Sequence, residues 1–118
     1  MDTDGSRAMV IKSVSTGGRF EQIGAYCRAK RVGPFVYVAG TTAIEPNGRL
    51  HAPDDTYAQS MFIFARIEDA LTEVGASLRH VVRTRAFLTN MKQGSEFVRA
   101  HGEAVSYTHL TLPTTPYV

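Results

Sequence analysis

The sequence predicts an α+β domain, and three observations carry that prediction. The stretch Arg31 to Leu50, RVGPFVYVAGTTAIEPNGRL, reads as a strand, a turn and the start of a return. Residues 55–74 change to a helical period, with a start signal before them and a glycine after. Residues 81–88 alternate again, and a second helical pattern opens at Gly94. Strand and helix periods in succession along 118 residues imply a sheet with helices packed on it around a single core.

Residues 1–8 are polar and are expected to be disordered, and the domain proper is expected over 9–104. Met9 to Val14 is a short first strand, and Ser15 to Gln22, which contains Gly17-Gly18, is a loop. Ile23 to Val32 alternates as a strand, with Tyr26, Arg28 and Lys30 on one face and Cys27, Ala29 and Arg31 on the other. Gly33-Pro34 turns it into an antiparallel hairpin with Phe35 to Ala39. There Val36 and Val38 share one face, Phe35 and Tyr37 the opposite one. Gly40 ends the apolar run and permits a bulge or a close backbone approach. Glu45-Pro46-Asn47-Gly48 is a turn, because proline presets φ and Asn and Gly tolerate positive φ.

The first helix is expected over Asp55 to Val74, capped by a carboxylate of Pro53-Asp54-Asp55 and ended by Gly75. Its buried side comprises Tyr57, Met61, Phe64, Ala65, Ile67, Leu71 and Val74. Phe62 interrupts the polar stripe as an exposed aromatic or a subunit contact. Val81 to Leu88 is expected as a strand. Arg83, Arg85 and Phe87 share one of its faces, read as a solvated face in preference to an anion site. The second helix begins at Gly94 with Phe97 and Ala100 or His101 inward.

Composition excludes several functions. The net charge of +2 gives no support for nucleic-acid or membrane-surface binding. No apolar run reaches the roughly 18 residues of a membrane span. The single cysteine, Cys27, suits a reducing cytoplasm, and the N-terminus lacks the apolar core of a signal peptide. His51, His80, His101 and His109 show no metal-ligand spacing, and Cys27 has no identifiable histidine partner for a nucleophilic role. Neither GxxxxGK[ST] nor GxGxxG occurs.

The final stretch departs from the rest. Val105 to Val118, VSYTHLTLPTTPYV, contains no Asp, Glu, Lys or Arg and has no clean period. VSYTHLTLPT reads, in one frame, as a transposase-type sequencing-library adapter. Residues 105–118 are therefore expected to be a non-native tail, with the second helix cut short and the last strands missing.

IGAYCRAKRVGPFVYVAGTTAIEPNGRL, then YAQ and IEDAL, then EVGASLRHVVRTRAFLTNM and RAHGE resemble the RidA/YjgF family of reactive-imine deaminases, also labelled the endoribonuclease L-PSP family. The likeness runs from about Ile11 to Glu103. It implies a chorismate-mutase-like fold, a mixed sheet backed by two helices. It also implies a homotrimer with a pocket at each subunit interface, and hydrolysis of 2-aminoacrylate-type enamines and imines to 2-keto acids and ammonia. No cofactor or metal is implied. Tyr26 falls on the family's pocket tyrosine, and Gly40, Thr41 and Thr42 fall on its substrate-lining segment, with Thr in place of Gln. Val98 stands where the family has an Asn on the second helix. The family's carboxylate-binding Arg and water-positioning Glu lie on the last two strands, and nothing in VSYTHLTLPTTPYV replaces them. The expectation is an imine deaminase whose present chain is inactive through truncation. The alternative is a non-catalytic trimeric ligand-binding or regulatory member of the same fold.

Overall fold

The computed structural model describes residues 10–18, 21–22 and 26–105. Three short strands, β1 (Ile11–Val14), β2 (Ala29–Val32) and β3 (Phe35–Val38), form an antiparallel sheet in the order β1-β2-β3. Two helices follow, α1 (Thr56–Glu73) and α2 (Gly94–Ala104), with 3-10 turns at Leu78–His80 and Met91–Gln93. The parts of the sequence reading that concern residues 1–8, Ile23 to Ala25 and most of the tail fall outside the described residues.

Gly33-Pro34 sets the sheet register. Gly33 takes φ +59, as the first loop position of a type II′ turn requires, and Val32 pairs with Phe35 directly across it. The pairing continues through Arg31 with Val36 and Ala29 with Val38, while β1 pairs Ile11 with Val32 and Val14 with Ala29. A side-chain period of two then puts Val14, Ala29, Val36 and Val38 on the inner face. Ile11, Phe35 and Tyr37 face outward and are well exposed. The predicted turn forms as well: Gly48 N–H donates to Glu45 O (2.8 Å), Gly48 has φ +87, and Ile44 bridges to Leu50.

Asp55 caps α1, its carboxylate accepting from Ala58 N–H (2.9 Å). Gln93 reinforces that end from the 3-10 turn before α2, since its Oε1 accepts from Thr56 N–H (3.0 Å) and its Nε2 donates to Asp54 O (3.2 Å). At the other end Ala76 N–H donates to Leu71 O (2.8 Å) and Gly75 N–H to Thr72 O (3.1 Å). This is a Schellman closure, with Gly75 at φ +79. Arg31 locks this end to the sheet, donating from Nη1 to Val74 O (2.7 Å) and from Nε to Gly33 O (2.8 Å).

The core has two joined parts. Val14, Ala29, Ala70 and Val74 pack between sheet and α1. Phe64, Leu71, Leu78 and Val105 pack around α1, with Phe97 of α2 against them. Burying a side chain of the size of Phe64 or Leu71 contributes about 1.5–3 kcal/mol. His101 is fully buried among them. Its Nε2 lies 3.1 Å from Thr84 Oγ1, and its ring meets Phe64 edge-on at 5.7 Å.

Four expectations are corrected. Residues 81–88 form no ladder among the described residues, although Val82, Arg83, Arg85 and Phe87 are exposed and Thr84, Ala86 and Leu88 half-buried. Alternation is intrinsic to the chain, but a strand also needs a hydrogen-bonding neighbour. Strand β2 begins at Ala29, later than expected. Ala65 is exposed, because the inward stripe runs through Ser60, Phe64, Leu71 and Val74 and Ala65 lies about 100° around the helix from Phe64. Phe62 is neither isolated nor fully exposed: it stacks on His51 with ring centroids 4.4 Å apart.

Candidate functional site

The described residues between β1 and β2, 15–18, 21–22 and 26–28, contain a buried ion pair. Glu21 and Arg28 are only 4% and 5% exposed. Arg28 Nη1 lies 3.7 Å from Glu21 Oε2. Glu21 Oε1 accepts from Thr16 N–H (3.0 Å) and from Ser15 Oγ (3.1 Å), and Oε2 accepts from Thr16 Oγ1. Burial pushes the Glu21 carboxyl up. The Thr16 hydroxyl and N–H, the Ser15 hydroxyl and the Arg28 guanidinium outweigh it and hold the group below its ordinary value.

Arg28 connects this pair to the predicted site. Its backbone extends the ladder beyond the named strands, Arg28 N–H donating to Val14 O (2.7 Å) and Ala39 N–H to Arg28 O (3.0 Å). Its Nη2 donates to Gly40 O, and its Cζ lies 5.7 Å from the Tyr26 ring centroid. Tyr26 is 41% exposed, so it remains accessible to solvent while the cation sits near its ring.

Gly40, Thr41 and Thr42 follow the end of β3 without regular secondary structure. Thr41 Oγ1 donates to Ala39 O (2.9 Å), and Thr42 O accepts from Arg66 Nη1 (3.1 Å). Among the described residues no atom lies within 4 Å of where a Cβ on Gly40 would sit, so the expected close backbone approach comes from none of them. The segment is therefore tied to Arg28 and to Arg66 of α1 through its Gly40 and Thr42 carbonyls and to Ala39 through the Thr41 hydroxyl, while no described residue fills the space beside Gly40. Tyr26 and Gly40 are brought together through Arg28; Thr41 and Thr42 continue from Gly40 along the chain.

The remaining candidates lie elsewhere. Cys27 is partly buried and has no disulfide partner. His51 Nδ1 is 2.9 Å from Glu45 Oε2, and His80 Nδ1 accepts from Ser77 N–H (3.1 Å). His109 lies outside the described residues. No group of three His, Cys, Asp or Glu able to hold a metal ion occurs among the described residues. No helix there is long and apolar enough to cross a membrane. Val98 is 54% exposed on α2. An open cleft of about 390 Å³ between α1 and the end of α2, lined by Glu68, Arg79 and Glu103, contains none of the predicted site residues.

Sequence reading missed Arg28 and Glu21 as parts of the site. Arg28 stood in an alternating run where a charge reads as solvent-facing, and Glu21 stood in a loop. The only local hint was Ser15-Thr16, two hydroxyl donors five and six residues before Glu21.

The comparisons with known proteins agree with this architecture. The family model described as Endoribonuclease L-PSP matches residues 16–118. A YjgF/YER057c/UK114-family protein of Mycobacterium tuberculosis superposes with a TM-score of 0.73 at 34% identity, covering 92% of this chain and 89% of that one. A RidA from an Antarctic Psychrobacter superposes with a TM-score of 0.67 at 21% identity over 88% of this chain and 80% of that one, a likeness of fold. In sequence the chain is 32% identical over 93 residues to an uncharacterized protein of Streptomyces coelicolor, covering 79% of this chain and 69% of that protein. It is 31% identical to a RutC family protein of Pyrococcus abyssi, covering 69% of this chain and 64% of that protein. A three-stranded antiparallel sheet with two helices on one face is the part of the chorismate-mutase-like fold that the described residues build. The chain belongs to the endoribonuclease L-PSP family, the RidA/YjgF proteins.

Proposed function

We propose that the site between Tyr26 and Gly40–Thr42 takes a small enamine or imine carrying a carboxylate, of the 2-aminoacrylate type. The reaction is hydrolytic deamination to a 2-keto acid and ammonia, in the cytoplasm, without cofactor or metal. The observation that carries this reading is the half-exposed Tyr26 ring linked through Arg28 to Gly40, where no described atom lies within 4 Å of the position a Cβ would take. Tyr26 would orient the substrate, and the Gly40–Thr42 backbone would line it. An enamine first takes a proton at its β-carbon and loses one from nitrogen to become the imine; water then adds to the C=N carbon, a proton passes to nitrogen, ammonia leaves, and the carbonyl remains.

The functional unit in this reading is a homotrimer with its pockets at subunit interfaces. The outward sheet face, with Ile11, Phe35 and Tyr37 each more than 60% exposed, supplies apolar surface for such a contact. In this reading the partner is the small molecule alone; the net charge of +2 gives no support for nucleic acid, and Arg83, Arg85 and Phe87 are read as a solvated face. The chain as given, residues 1–118, is proposed to be inactive, because VSYTHLTLPTTPYV supplies neither a cation for the substrate carboxylate nor a carboxylate to position water.

The test takes the parent gene's uncut reading frame past Glu103. Its product, added to a dehydratase that generates 2-aminoacrylate, is expected to speed release of keto acid, and the 118-residue chain is not. No acceleration by the uncut product would remove the deaminase reading. Two observations favour a second reading, a ligand-binding member without turnover. Val98 offers no polar group where the family places an Asn, and Thr41 offers a hydroxyl already donated to Ala39 O.

A further inference from the structure

Among the described residues Arg28 is the one buried lysine or arginine, and it points at the candidate site from behind. We propose that Arg28 is the positioning residue of this site: it fixes the Gly40 carbonyl and the Tyr26 ring relative to each other. The proposal rests on the reading that a ligand sits at Tyr26 and Gly40–Thr42. It adds that the mouth of that site is held by a guanidinium, not by the sheet alone.

The guanidinium works in three directions. Nη2 holds Gly40 O, Nη1 faces the Glu21 carboxylate at 3.7 Å, and the planar head lies 5.7 Å from the Tyr26 ring centroid. Both ends of the arrangement are fixed. Backbone bonds to Val14 and Ala39 hold the Arg28 main chain, and Ser15 and Thr16 hold Glu21. Gly40 is the first residue past Ala39, whose N–H makes the last ladder bond at this end, so its carbonyl takes direction from Arg28. The guanidinium is buried and engaged, so it touches no ligand and does not act as a catalytic residue. A lysine would keep the charge, but as a point donor it cannot hold a carbonyl, a carboxylate and a ring at once. Among the described residues Nε has no partner, so the grip on the site runs through the two Nη atoms.

The test uses the 118-residue chain, labelled for NMR, with Arg28→Lys and the double variant Glu21→Gln/Arg28→Met. The double variant leaves no unpaired buried charge and keeps the comparison valid should the lysine variant unfold. In both, the Tyr26 ring and the Gly40–Thr42 backbone resonances are expected to move, while those of Ile44, Leu50 and α1 stay. Resonances that stay in both variants would overturn the proposal, as would lysine restoring the wild-type pattern. Changes spread evenly over the chain, or loss of folding in both, would make Arg28 a folding residue only and also overturn it. In turnover by the uncut product, Arg28→Lys is expected to raise KM about tenfold with kcat within about threefold. If the uncut product gives no turnover, the deaminase reading falls while the resonances still decide the part of Arg28. If turnover is normal and the resonances stay, Arg28 falls alone.

Discussion

Lowering the pH from about 8 to about 5 is expected to weaken the fold through His101 before its carboxylates protonate. The His101 side chain is fully buried between Phe64 and Phe97, with Nε2 3.1 Å from Thr84 Oγ1. Burial disfavours the imidazolium and holds the group below its ordinary value of 6.5. The sign follows from proton binding. The unfolded chain takes up the proton at a higher pH than the folded one, so stability is complete above about 6.5 and falls as the pH drops below it. The limiting slope for one proton is about 1.4 kcal/mol per pH unit. Glu21 acts in a lower window. Its carboxyl lies below its ordinary value of 4.5, so its contribution persists down to that range and is lost beneath it. Urea unfolding followed by far-ultraviolet circular dichroism at a series of pH values separates the two. His101→Gln keeps a side-chain amide for Thr84 but cannot titrate, and its stability is expected to be flat where wild type slopes. An equal slope in His101→Gln would refute the assignment, and a flat wild-type profile would refute the burial argument itself.

Arg31→Met removes two charge-assisted bonds, to Val74 O and Gly33 O, and is expected to cost about 1.5–3 kcal/mol in thermal or urea unfolding. Asp55→Ala removes the α1 cap on Ala58 N–H and should cost about 1 kcal/mol, with Asp55→Asn recovering most of it. Phe35→Ser combined with Tyr37→Ser is expected to leave protomer stability within about 0.5 kcal/mol while abolishing the trimer proposed for the uncut product in sedimentation, since both side chains face outward. An unchanged sedimentation profile would place the subunit contact elsewhere.

Local chemistry carried much of the fold. Gly33-Pro34 dictates the β2–β3 register, because a two-residue loop with positive φ at its first position joins only directly opposed residues. Asp55 and Gly75 mark the ends of α1 for reasons internal to a helix, the free N–H groups at one end and the left-handed residue at the other. Val36 and Val38 inward against Phe35 and Tyr37 outward follows from the strand period alone. The tertiary structure decided what depends on distant partners. Residues 81–88 alternate as a strand would, yet no described neighbour supplies a ladder, and a ladder is a property of two segments. Arg28 reads as a surface charge until Glu21, Gly40 and Tyr26 close around it. His101 reads as one of two inward options until Thr84 and Phe64 enclose it. A buried polar group persists only where its partners converge, and convergence is set by the packing of sheet, loop and helix together, not by any one stretch of chain.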